Sequence, residues 1–144
     1  MPFIPYLTFQ GNAAEAFAFY AEVFGGTPFV MRFADMPEGE GPPGLRNEIR
    51  DWALHVSLAT PDGMLMASDA PPEFGGEAQA GVSVSVTRPD FATSQALFER
   101  LAEGGTVSMP FGKTFFAEGY GMCRDRFGTH WMVSVADTAD RSTP

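Results

Sequence analysis

The chain is short of cysteine, of basic residues and of long apolar runs, and each shortage removes a class of protein. Its single cysteine, Cys123, cannot close an intramolecular disulfide, so an apolar core has to hold the fold. Lys and Arg number 9 against 18 Asp and Glu, a formal net charge of -9. That imbalance repels nucleic-acid phosphates and anionic membrane surfaces and favours cationic or neutral small molecules as ligands. No apolar run approaches the roughly 18 residues needed to cross a bilayer. Nothing at the start resembles the charged, apolar and cleavage regions of a secretory leader, so a cytoplasmic protein is expected. With two histidines in the chain, His55 and His130, any imidazole chemistry must use one of them.

What is present is 144 residues, 44% hydrophobic and 19% charged, enough for one buried core and unlike a disordered chain. "FIPYLTF", Phe3 to Phe9, is rich in the aromatic and branched residues that favour a strand, with Pro5 marking an edge or irregular point. In "NAAEAFAFYAEVFGG", Asn12 can cap a helix and Glu15 sits three residues on, as in a capping box. Gly25 and Gly26 supply the stop, so a helix over Ala13 to Phe24 is predicted. Its stripe of Ala14, Phe17, Ala21 and Phe24 reads as core packing.

"TPFVMRFA" is the next strand, and "DMPEGEGPPGLRN", Asp35 to Asn47, is a loop of the kind that serves as a flap or a solvated insertion. Two further strands flank a "PDG" turn. After the Pro/Gly-rich linker Ala70 to Ala80 the order repeats: "GVSVSVT" as a strand, a helix from a capping Asp90 to Gly104 and Gly105, "TVSMPF", then two strands around "DRFG". The chain therefore divides into a βαβββ module at 1–72, a second at 73–136 and a polar tail at 137–144. The fold class expected is α+β, two paired βαβββ modules whose curved, half-open mixed sheets surround a cleft. A ferredoxin-like sandwich has too few strands for this chain.

A three-residue loop Pro61–Gly63 would pair Thr60 with Met64 and set His55 directly opposite Asp69. His55, Ser57 and Ala59 would then share a face with Asp69, Ala67 and Leu65, against Leu54, Val56, Leu58, Met66 and Ser68 on the other. On a cleft wall, Asp69 would orient the His55 ring as an acid/base pair or a ligand-orienting group; at the surface the two would be a solvated pair. Thr129, Trp131 and Val133 alternate with His130, Met132 and Ser134, so His130 is either a cavity group or an exposed residue at a strand's end. Trp52 and Trp131 read as structural, and Cys123 as a buried, inert thiol. No G-x-S-x-G context supports a hydrolase, and "GYGMCR" lacks the third glycine and the helix of a nucleotide fingerprint.

"PYLTFQGNAAEAFAFYAEVFGG", "LMASDAPP" and "GYGMCRDRFGTHWMVSV" together resemble the PhnB-like branch of the glyoxalase/bleomycin-resistance/dioxygenase (vicinal oxygen chelate) superfamily, over Pro5 to Val135. The resemblance implies paired βαβββ modules, a cleft and a homodimer. Metal enzymes of the superfamily carry ligands at four places. Laid onto this chain, three of them fall at Pro5, on or beside Val82, and at Met132, none of which offers a hard or borderline metal an oxygen or imidazole nitrogen. The fourth, near Met66 to Asp69, retains an acid. No cofactor is predicted on this ground, and a divalent metal at an altered site is not excluded. Some relatives are labelled ubiquinone methyltransferases, yet the chain has no Gly-rich strand-to-helix turn of a doubly wound sheet.

The resemblance also places "KTFFAEGYG" beside the cleft. Phe115, Phe116, Glu118 and Tyr120 would form an aromatic, acidic wall for a cationic or planar ligand, with His130 as a further ligand-binding residue. Core packing of one phenylalanine and a solvated Glu118 are the plainer alternatives. Two functions follow: a cleft that binds a small molecule without the usual metal, or a metal-dependent or acid/base lyase, isomerase or dioxygenase of the same superfamily acting on a small metabolite, with His55 and Asp69 as an acid/base pair or as remnants of an unconventional metal site.

Overall fold

The computed structural model describes residues 2–37 and 46–137. Most of the stretch 35–47 and nearly all of the tail 137–144 therefore lie outside the described residues. The chain divides into two compact units, Met1–Ala80 and Gly81–Pro144. The linker that closes the first unit is tied to it by the Arg46–Glu73 ion pair and by the Ala70 N–H donating to the Phe9 carbonyl at 2.8 Å.

The first unit contains β1 (Tyr6–Phe9), α1 (Ala13–Phe24), β2 (Phe29–Arg32), β3 (Ala53–Thr60) and β4 (Gly63–Asp69). The second contains β5 (Ser83–Arg88), α2 (Phe91–Ala102), β6 (Thr106–Gly112), β7 (Tyr120–Arg124) and β8 (His130–Val135). The sheet orders are β1-β4-β3-β2 and β5-β8-β7-β6. In each, the first strand is parallel to the last and the other pairs are antiparallel. Each unit is thus a βαβββ module with a four-stranded mixed sheet, and the α+β class expected from the sequence holds.

The first strand is shorter than its apolar run because Pro5 has no N–H to pair; its carbonyl accepts from Met66 N at 3.1 Å, and regular pairing starts at Tyr6. Helix α1 buries Ala13, Ala16, Phe17, Phe19, Tyr20 and Phe24. The stripe is centred beside the predicted one, leaving Ala14 and Ala21 half-buried. Phe17 stacks edge-on against Phe9 and Tyr20, and each fully buried large side chain of this kind contributes roughly 1.5–3 kcal/mol.

The β3–β4 hairpin differs from expectation by one residue. Thr60 pairs with Gly63, not Met64, leaving Pro61 and Asp62 as a two-residue loop. The Thr60 hydroxyl fixes it, accepting from Asp62 N at 3.0 Å and donating to the Gly63 carbonyl at 2.8 Å. A one-residue slip turns every side chain of one strand to the other face. Val56 and Leu58 therefore share the α1-facing side with Leu65, Ala67 and Asp69, while His55 and Ser57 share the opposite side with Met66 and Ser68.

Asp69, 3% exposed, does the capping expected of Asn12, which makes no side-chain cap bond. One carboxylate oxygen accepts from Gly11 N at 2.8 Å and Ala13 N at 3.0 Å, at the positive end of α1. The other accepts from Ala53 N at 2.8 Å. A register shift beside Leu54 brings Ala53 within reach. Helix α2 is capped locally, as expected: Asp90 accepts from Thr93 N at 2.8 Å, a bond that holds its carboxyl below the usual carboxylate range.

The second core gathers Val86, Cys123, Trp131 and Val133 beneath Leu97, Phe98 and Leu101 of α2. Gly121 is required there, since a Cβ would lie 2.8 Å from the Phe98 ring and 2.9 Å from the Phe111 backbone. Burial, reinforced by the negative charge of Asp125, pushes the Cys123 thiol up to about 11, the inert state expected of it.

In urea unfolding, Asp69→Ala is expected to cost about 3–5 kcal/mol, because it leaves three N–H groups without acceptors; Asp69→Asn, which retains one carbonyl oxygen, should cost less. Asp90 titrates lower folded than unfolded. Its contribution is complete above the ordinary value of 3.8 and lost as pH falls through the lowered one. The melting-temperature gap between wild type and Asp90→Ala should accordingly be open at neutral pH and close in acid. A colorimetric disulfide reagent at pH 8 should leave Cys123 unmodified in native protein and titrate one thiol per chain in denaturant.

Candidate functional site

In the first module, His55 projects from β3 on the side away from α1. Its Nδ1 shares a 3.0 Å hydrogen bond with the Tyr6 hydroxyl, and the two rings lie 5.7 Å apart at 31°. Tyr6 belongs to β1 and His55 to β3, with β4 between them in the sheet, so the pair bridges over β4. The partner predicted for His55 is elsewhere. Asp69 is buried on the helix side with both oxygens committed to backbone N–H groups. The His55–Asp69 acid/base pair therefore does not form, because the two-residue loop places the side chains on opposite faces.

The same geometry bears on the positions that would hold a divalent metal. Pro5 is an edge residue bonded through its carbonyl, Val82 is 69% exposed, and Met132 lies between Ser85 and Met122. Asp69, the acid retained at the remaining position, turns its oxygens to the backbone. This donor set does not fit the family's metal. Among the described residues no three His, Cys, Asp or Glu side chains gather as a metal-holding group.

In the second module the sheet has one face on α2 and one turned away from it, and directly paired residues share a face. On the face away from α2, pairing aligns Tyr120 with Ser134 and Ser134 with Thr87. The next row joins Met109, Met122, Met132 and Ser85. Beyond it lie Thr106, Arg124, His130 and Ser83. A polar and a cationic row thus bracket three methionines, side chains that adapt readily to irregular apolar shapes. His130 opens β8, half-buried, and its Nδ1 is buried without a hydrogen-bond partner among the described residues.

Phe115, Phe116 and Glu118 line a cavity of about 300 Å³ with Lys113, Val135 and Asp137. Thr114 shapes this loop, its hydroxyl accepting from Phe116 N at 3.3 Å and Ala117 N at 3.1 Å. Phe115 is fully exposed at 101%, so neither phenylalanine of the pair is a core residue. Phe116 stacks edge-on against Phe115 and against Tyr120, with centroids 5.2 and 5.0 Å away. Phe115, Phe116 and Tyr120 thus form a run of edge-on rings, and Glu118 lines the cavity beside the first two. His130 lies on the same sheet face as Tyr120, four residues from it by register.

Four residues of interest carry no signal of their own in the sequence. Tyr6 is one, because its partner comes from a distant strand. Arg124, Thr106 and Ser83 looked like ordinary strand positions until pairing aligned them; counting register outward from "DRFG" would have set Arg124 beside His130. Asp125 shows what that turn is for. It accepts from Phe127 N and Thr129 N at 2.9 and 3.0 Å and from the Trp131 indole at 2.8 Å, which fixes the hairpin and the strand carrying His130.

Residues 2–134 match the family described as 3-demethylubiquinone-9 3-methyltransferase. Protein YjdN of Escherichia coli K12 is 30% identical over 143 residues, covering 94% of this chain and 95% of that protein. The crystal structure of protein PA1353 from Pseudomonas aeruginosa shares 40% identity at a TM-score of 0.83, covering 94% and 97% of the two chains. A Bacillus cereus PhnB protein, described as a putative 3-demethylubiquinone-9 3-methyltransferase, is 22% identical at a TM-score of 0.72, with 94% and 100% covered. Proteins of the glyoxalase/bleomycin resistance/dioxygenase superfamily share the fold. By its sequence over almost its whole length this chain belongs to the family described as 3-demethylubiquinone-9 3-methyltransferase, and the βαβββ architecture of each module is the fold it shares with proteins of the glyoxalase/bleomycin resistance/dioxygenase superfamily.

Proposed function

We propose that the protein binds a small molecule along the open sheet face of its second module, without a divalent metal at the positions its metal-dependent relatives use. The observation that carries this reading is the strip from the Phe115, Phe116 and Glu118 cavity, through Tyr120, onto the methionine row. A solvated sheet face ordinarily carries charged and hydroxyl side chains; aromatic and methionine side chains interleaved with a few polar groups are the composition of a ligand site. A cavity of about 300 Å³ is at the small end of such sites, which suits a metabolite of one or two rings. The methyl transfer in the family's description is not adopted. A methyl donor is ordinarily held on a Gly-rich turn of a doubly wound sheet, and each sheet here has a single helix-bearing module face.

A second reading, acid/base catalysis, is favoured by the Tyr6–His55 hydrogen bond, which holds the imidazole by one nitrogen and leaves the other to a substrate. The two readings part on the fate of the ligand. In a thermal-shift screen of small aromatic and cationic metabolites, at least one compound should raise the melting temperature of wild type, and Tyr120→Ala or Met132→Ala should abolish that shift while the variants remain folded. Mass spectrometry should recover the compound unchanged. Turnover abolished by His55→Ala would establish catalysis instead, and a screen in which no compound shifts the protein would defeat the binding reading.

A further inference from the structure

We infer that the row Thr106–Arg124–His130–Ser83 is an anchor for the carboxylate of a small organic acid whose apolar body lies on the neighbouring methionines. This deepens the binding proposal above and rests on it.

Four adjacent strands contribute one residue each, in direct register. All four side chains carry hydrogen-bond donors, and they stand side by side at strand spacing, about 5 Å from one to the next. None makes a side-chain hydrogen bond or ion pair among the described residues. Arg124, Thr106 and Ser83 are exposed. The acid nearest to Arg124 in sequence, Asp125, is buried and occupied by three N–H donors, so it does not take up the guanidinium.

His130 adds direction. A proton on its buried, partnerless Nδ1 would be an unsatisfied donor, which is costly. The proton therefore belongs on Nε2, where it can be donated outward. The guanidinium fork matches the two oxygens of a carboxylate, with the His130 N–H and the Thr106 hydroxyl as flanking donors and the Ser83 hydroxyl beyond His130. The next row determines what the carboxylate is attached to. Met109, Met122 and Met132 favour an apolar or aromatic body over water or a second charge. Global charge favours cationic ligands, but binding follows the nearest charges, and the permanent charge in this row is the Arg124 cation.

The probes are benzoate, its neutral counterpart benzamide, and inorganic phosphate, followed by proton NMR of the two histidine rings. Benzoate should saturably shift the His130 ring signals and leave those of His55 unmoved. Arg124→Gln, an exposed substitution that leaves the core intact, should weaken binding by about tenfold or more, and benzamide should bind about tenfold more weakly than benzoate. Equal binding of benzoate and benzamide, an unaffected Arg124→Gln, or the absence of any His130 shift would overturn the anchor. Phosphate binding more tightly than benzoate would overturn the acid with an apolar body. If a carboxylate-bearing compound stabilises Arg124→Gln as well as wild type, the binding proposal stands and the carboxylate anchor alone is lost.

Discussion

The Asp69 carboxylate joins three places in the first module that no strand pairing joins: the turn after β1, the first residue of α1 and the start of β3. A buried carboxylate with no cation is expensive unless N–H donors surround it, and here the backbone supplies three of them at 2.8–3.0 Å. The same bonds hold α1 against the sheet by its N-terminus. They also dictate that Asp69 has no part in chemistry on the sheet's far side, where Tyr6 and His55 meet. The second module solves the same problem with two acids: Asp90 caps α2 locally, and Asp125 fixes the β7–β8 turn and the Trp131 ring.

Much of the fold was legible in the sequence because its punctuation is strong. The Gly pairs after both helices, the alternating "SVSV" and the "DRFG" turn mark the elements, and their repetition marks the two modules. The site was less legible, and the reason is register. Nothing in "TPDGM" distinguishes a two-residue from a three-residue loop; the Thr60 hydroxyl decides it. A single residue then exchanges Asp69 for Ser68 beside His55. In the second module alternation alone was enough to place His130 and Met132 together, since no bulge interrupts β8. Tyr6 and Arg124 became visible only when distant strands were laid side by side.

The shared fold does not bring the superfamily's metal ligands with it to the corresponding positions of this chain. The superfamily's architecture is present in both modules, yet the side chains at Pro5, Val82 and Met132 cannot serve a hard or borderline metal. In the proposed binding reading, methionine, tyrosine, serine and histidine on the sheet face away from α2 would recognise shape and hydrogen bonding, where a metal would polarise a carbonyl.

The two helices also differ in when they can be completed. Asp90 and Thr93 are three residues apart, so the cap of α2 closes as soon as its own first turn forms. The cap of α1 comes from a residue 56 positions later in the chain, and loop closure over that distance precedes its benefit. During synthesis the helix made first must therefore wait for β4 to emerge and pair before its N-terminus is secured. The earlier module carries the higher contact order at its helix start, and its assembly follows the chain's progress through residue 69.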